Sequence, residues 1–485
     1  MTVGGILLGL VRRWLLTTLC LVAFAPCGAA ESLPDLGEAS ETVISAVQER
    51  RLGESIMRQI RASPAYLGDL EINGYLNGIG YRLAYQSQDH RFPFEFFGVD
   101  DASVNAFALP GGFIGVHTGL ILTAQSESEL AAVLGHEVAH VSQRHLARII
   151  AAQQKAQIAS LAAIALAILA AQASPDLAQA AVAGAQYAAV QTQINFTREH
   201  EREADRIGIQ LLEKAGFDAR AMPAFFDRLQ RATRIYDNNA PTYARTHPLT
   251  YERIADVEGR VEALPYRQVP DSLDFLLLRT KLHVQQLGAR DAISNYGSQL
   301  KDKRYNSEAA VRYGLVSALL AGKRADAAAA ELPALLSAAQ HHPVADSLAG
   351  RVLNATPQPK AALTFYEAAH QRHPTYPALT VDYARLLLHQ KQPGQALKLI
   401  NKLLATGVSA PTFHFIQAEC YAALGKSLQQ HRAQAEGYFL EGRIGAAIEQ
   451  LEIGLRSGER DFYEMSGAEA RLREFKALDA EAKRK

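Results

Sequence analysis

Residues 136–140 read His-Glu-Val-Ala-His, and no other short stretch constrains this chain as much. Histidines four positions apart share a face on a helix, so both imidazoles can reach one ion, and Glu137 then projects beside them, where it can take a proton from water. The flanking residues fit that geometry. Ser126 followed by Glu129 has the form of a capping box, and Leu130, Val133, Leu134, Val138 and Val141 recur at helical spacing, which predicts a helix from Ser126 through Val141. His145 is the third histidine of the stretch. It lies nine residues past His136, about half a turn out of phase, so while this helix continues it cannot share the ion and is expected at the surface.

A catalytic zinc takes three protein ligands and keeps a fourth position open. A third histidine in the metzincin pattern would need glycine at 143 and histidine at 146, where this chain has Gln143 and Leu146. Cysteine is scarce: Cys20 and Cys27 fall in a leader-like stretch and Cys420 stands alone, so the remaining ligand is expected to be His, Asp or Glu. The candidate segment is Arg198–Phe217, REHEREADRIGIQLLEKAGF, in which Glu199, Glu201 and Glu203 compete. On a helical wheel Ala204, Gly208, Leu211 and Leu212 mark the packed face; Glu201 falls within it, and Glu199 and Glu203 point away. Asp205, one turn beyond Glu201, is placed to hold a ligand histidine by its other ring nitrogen. The plainer alternatives are two core histidines and a solvated charge run.

Around these motifs the 485 residues divide by character. Residues 1–30 pair Arg12 and Arg13 with an apolar run from Trp14 to Phe24 and the small residues Gly28, Ala29 and Ala30, the pattern of a secretory signal; the run is shorter than the roughly 18 residues of a membrane span. From Glu31 to Ala263, helical patterns surround one β region, in which Phe94, Phe96, Val99, Val104, Phe107, Ile114 and Val116 lie among turn formers. Residues 156–190 are dominated by alanine, a pattern for a helical hairpin broken at Ser174-Pro175 or for a flap that covers a cleft or touches a membrane. After a linker at 264–275, residues 276–485 show helical pattern only. Gly350, Leu353, Ala362, Tyr366, Ala369 and Pro374 match the roughly 34-residue tetratricopeptide repeat. Ala384, Leu387, Ala396 and Ile400 repeat its frame, and a third copy reads at Ala435, Tyr438, Ala447 and Leu451; residues 305–343 look like a less regular pair. Fifty basic residues balance fifty acidic ones, so bulk charge favours no nucleic acid partner.

The ordered set HEVAH, EREADRIG and THPL, with a signal-like leader before it and repeats after it, resembles the bacterial periplasmic beta-barrel assembly-enhancing proteases. The resemblance implies a mostly α chain: an α+β metalloprotease domain of the gluzincin type with a small β-sheet, then an all-α tetratricopeptide repeat domain. It implies one zinc per subunit on His136, His140 and Glu201, with Glu137 as general base. It also points to His247 as a fourth ligand that keeps the enzyme latent, or as a catalytic participant, and to Arg253 near the oxyanion. The expected substrates are unfolded or misassembled outer-membrane proteins, laid along the strand Val104, Asn105, Ala106, Phe107 and Ala108. The repeats would meet the β-barrel assembly machinery, with peripheral contact to the outer membrane. A competing reading is a non-proteolytic periplasmic chaperone or scaffold working through its repeats.

Overall fold

Turn residues shape the sheet in the computed structural model, which describes residues 44–87, 91, 93–152, 198–235, 241–408, 410–458 and 461–483. The expected leader and the alanine-rich segment at 156–190 lie outside the described residues. Four strands, β1 (Tyr66–Leu67), β2 (Glu95–Val99), β3 (Ala106–Leu109) and β4 (Phe113–His117), lie in the order β1-β2-β4-β3. β2 and β4 run parallel, and the outer two pair antiparallel. The β3–β4 turn needs glycine, since Gly111 has φ 77° and a Cβ there would sit 2.6 Å from the Arg50 Cα.

Helices cover the sheet: α1 (Ala46–Arg61), α2 (Leu70–Ala84), α3 (Thr118–Thr123), α4 (Glu127–Ser142), α5 (His145–Ala152), α6 (Arg198–Lys214), α7 (Ala221–Ile235), α8 (Thr242–Thr246) and α9 (Tyr251–Glu262). Ser126 is the N-cap of α4, as its sequence predicts, and its hydroxyl accepts from the Glu129 N–H. Glu129 does not close the reciprocal half of the box: it accepts from the Gln125 N–H at 2.7 Å and pairs with Arg228. α4 is buried from end to end, which is why its sequence carries apolar residues on every face.

The C-terminal half stacks helices in antiparallel succession: α10 (Leu273–Leu287), α11 (Ala289–Asp302), α12 (Glu308–Ala321), α13 (Ala325–Ala338), α14 (Pro343–Ala355), α15 (Pro359–Arg372), α16 (Pro377–His389), α17 (Pro393–Leu404), α18 (Pro411–Ala423), α19 (Ser427–Leu440), α20 (Ile444–Leu455) and α21 (Phe462–Lys483). Small residues admit aromatic rings between helices, so that a Cβ on Gly350 would lie 2.5 Å from the Tyr366 ring and one on Gly314 2.7 Å from Tyr296. One apolar core runs through both halves, joining Leu130 and Leu134 of α4 to Phe275 and Leu278 of α10 and Leu348 of α14. In the expected linker, Ser272 donates from its N–H and its hydroxyl to Glu127, whose own N–H donates to Asp271. Buried Glu71 of α2 binds Lys281 of α10 at 2.6 Å and faces Arg351 of α14 at 3.4 Å. The repeats then curve back until Gly442, between α19 and α20, meets the Arg58 carbonyl of α1. Among the described residues no helix is long and apolar enough to cross a membrane.

Candidate metal centre

Two helices build the centre, and glycine sets their separation. α4 and α6 cross where Gly135 faces Gly208; a Cβ on Gly208 would lie 3.2 Å from the His136 backbone nitrogen. That approach brings Glu201, two turns before Gly208, against His136 and His140. The short helix α8 delivers His247 from the other side, its N–H bonded to the Tyr243 carbonyl at 2.8 Å.

The structure gathers His136, His140, Glu201 and His247, all buried, with one ligand atom from each lying within 4.8 Å of the others. The Nε2 atoms of His136 and His140 are 2.9 Å apart; His136 Nε2 is 3.3 Å from His247 Nδ1, which is 3.0 Å from Glu201 Oε1. Glu201 reaches His136 and His140 at 3.5 and 3.4 Å. A tetrahedral ion with bonds of about 2.1 Å separates its ligands by about 3.4 Å. Nitrogen lone pairs packed this closely repel unless a proton or cation lies among them, and three imidazoles with one carboxylate form a donor set that suits zinc.

Electrostatics follow burial and charge. Burial disfavours the His136 imidazolium, yet its bonds to Asp205 and Glu201 lift it to about 9 without metal. His140 falls to about 3, from burial and the charges of His136 and His247, with Glu201 opposing. Burial likewise works against the Glu201 carboxylate, but His247, His136 and His140 hold it well below its ordinary range. Glu137 goes the other way: burial raises it, opposed by His247 and His136. Its two oxygens are buried with no side-chain hydrogen bond among the described residues; the Ala108 backbone N–H faces the carboxylate, and His247 Nε2 lies 3.5 Å away.

Asp205 Oδ1 is 2.9 Å from His136 Nδ1, the place its helical phase suggests. Arg253 departs from its expected position at an oxyanion. It is 2% exposed, donates from Nε and Nη2 to Asp205 at 2.8 Å and from Nη1 to the Pro248 carbonyl, and pairs with Glu201 at 2.7 Å. Two buried carboxylates require that counter-charge, so the guanidinium sits behind the ligands. Along the substrate strand, the Val104 carbonyl accepts from the Tyr243 N–H and the Asn105 carbonyl from the His117 N–H. With ladder bonds continuing through Phe107 and Leu109, Ala106 and Ala108 turn their backbone groups away from β4, the Ala108 N–H toward Glu137.

The expectation for His145 needs correction. It is fully buried, because α4 stops at Ser142 and Arg144, at φ 51°, turns the chain back so that His145 Nδ1 lies 2.8 Å from His140 Nδ1. Sequence reasoning also missed Tyr243, which is buried and stacked on His247 with centroids 4.7 Å apart. Among the described residues its hydroxyl has no hydrogen-bond partner, and burial with the Glu137 charge holds it protonated. Its one sequence signal is its place a turn before His247.

Residues 71–261 match the family model described as Peptidase family M48, and residues 358–420 match a tetratricopeptide repeat model. The beta-barrel assembly-enhancing protease of Escherichia coli (strain K12) is 31% identical across 95% of this chain and 94% of its own length. Its Vibrio cholerae counterpart is 34% identical across 89% of this chain and 91% of its own. The mitochondrial metalloendopeptidase OMA1 of Arabidopsis thaliana is 31% identical over 50% of this chain and 48% of its own.

Proposed function

This chain belongs to the beta-barrel assembly-enhancing proteases, metalloendopeptidases with an M48 peptidase domain, and from that premise we propose a periplasmic zinc endopeptidase that removes unfolded or misassembled outer-membrane β-barrel proteins. His136, His140 and Glu201 would hold one zinc per chain. A bound zinc supplies a Lewis acid that polarises a carbonyl oxygen and acidifies water. Glu137 would take a proton from the attacking water and pass it to the leaving nitrogen, a task that suits a carboxyl raised by burial. Asp205 fixes the His136 ring, and Arg253 balances Asp205 and Glu201.

The observation that carries this reading is the Glu137 carboxylate, fully buried beside four convergent donors and without a side-chain hydrogen bond among the described residues. A structural metal needs no such base. Substrate would add to the edge of β3 through the backbone groups of Ala106 and Ala108, a mode that selects extended chains over particular sequences. His247, gathered with the other three donors, would take the position that a catalytic zinc keeps open, and the resting enzyme would then be latent until His247 withdraws. The repeats from α10 onward supply the surface for the assembly machinery and for chaperone-like holding of substrate.

Stripping the metal with a chelator should abolish cleavage of an unfolded outer-membrane β-barrel protein, and stoichiometric zinc should restore it. Undiminished cleavage by metal-free protein would contradict the reading. No cleavage by either form, with both preventing aggregation of that substrate, would favour the scaffold.

A further inference from the structure

We propose that His145 and Glu203 are positioning residues of the metal centre, holding the His140 ring by its second nitrogen so that Nε2 points at the ion. The inference rests on reading His140 as a ligand.

The chain of contacts is continuous. His145 Nδ1 lies 2.8 Å from His140 Nδ1, and His145 Nε2 lies 3.2 Å from Glu203 Oε2, which also accepts from Arg148 at 2.9 Å. The His200 ring stacks on His145 with centroids 4.5 Å apart. Proton counting fixes the direction of each bond. His140 offers its Nε2 lone pair to the ion, so its proton is on Nδ1 and donates to His145. A neutral His145 accepting on Nδ1 carries its own proton on Nε2, which donates to Glu203.

The two ligand rings are therefore held differently. His136 meets the Asp205 carboxylate directly, whereas His140 meets a neutral ring with the carboxylate one group further out. The local charge explains the difference. Glu137, Glu201 and Asp205 are already buried there, with Arg253 paired to Glu201 and Asp205 only, and a further carboxylate against His140 would add charge where desolvation is costly. Glu203 sits further out, its side chain 26% exposed. The turn that delivers His145 is anchored too: Arg144 is 1% exposed and binds Glu49 at 3.1 Å and the Ile44 carbonyl at 2.8 Å.

The test measures zinc affinity of the full chain by chelator competition, with melting of the metal-free proteins alongside. His145→Leu and Glu203→Gln should each weaken zinc, His145→Leu by about 10- to 100-fold. His145→Gln can accept from His140 through its side-chain oxygen and donate to Glu203 through its nitrogen, and should stay within a few-fold of wild type. The metal-free Leu and Gln variants should melt alike. Wild-type affinity in His145→Leu, or equal losses in His145→Leu and His145→Gln, would overturn the proposal. His140→Ala separates the two levels: if it binds zinc like wild type, the ligand reading falls and the positioning role with it. If His140→Ala loses zinc and His145→Leu does not, only the positioning role falls.

Discussion

Single side chains carry the chemistry proposed for this centre, and the neighbours of each one set its state. Glu137 and Glu201 are both buried carboxyls, yet burial raises Glu137 while three histidines pull Glu201 down. That divergence suits the roles proposed for them, proton carrier and ligand. The latency proposed for His247 is tested by removing it. His247→Ala should raise cleavage of an unfolded substrate several-fold at unchanged zinc content; reduced cleavage with zinc retained would make His247 a participant in the reaction.

Elements place those side chains, and here sequence and structure diverge instructively. The helix bearing HEVAH is legible because its determinants are local: an N-cap serine, apolar spacing and histidines four apart. Glu201 is legible as the buried carboxylate of its segment because the apolar face of α6 fixes its phase. His145 is not, because the phase argument assumes a continuous helix, and the left-handed residue that breaks it is an arginine held by Glu49 from α1, a contact of high sequence separation. The sheet shows the same limit: β1 spans two residues, too few to carry an alternation, and exists through its pairing with β2. In the repeats, one period past Ala384 falls on Ala418 in α18, whereas the copy read at Ala435 lies on α19, half a period out of frame. Small residues recur on successive helices, so either helix of a pair can imitate the motif. The α4–α6 crossing gives the prediction at this scale. Gly208→Val should cost about 1–3 kcal/mol through overpacking and lower zinc occupancy, measured by urea denaturation and metal analysis; full occupancy would show that the crossing tolerates the added bulk.

Across the whole molecule, the protease half and the repeat half share a core and are fastened by buried charge. Burial alone would raise Glu71 above its ordinary 4.5, but Arg351 and Lys281 bring it down to about 2. A carboxyl depressed in the folded state stabilises fully above its unfolded value and less as pH falls through the folded one. Stability from Glu71, about 3 kcal/mol at 1.36 kcal/mol per pH unit, should therefore be present at neutral pH and disappear between about pH 4.5 and pH 2. Glu71→Gln should lower the neutral-pH urea midpoint and flatten the acid limb; a variant with the wild-type slope would remove Glu71 from the fastening. The repeats also close on α1, where Gly442 packs against the Arg58 carbonyl.

If Glu137 carries the proton at the metal, replacing it by glutamine removes the base and leaves the proposed ligands in place. The variant should bind one zinc per chain, keep the wild-type fold and cleave an unfolded outer-membrane β-barrel protein at least about 100-fold more slowly than the wild type. Wild-type cleavage by Glu137→Gln with zinc bound would contradict that role.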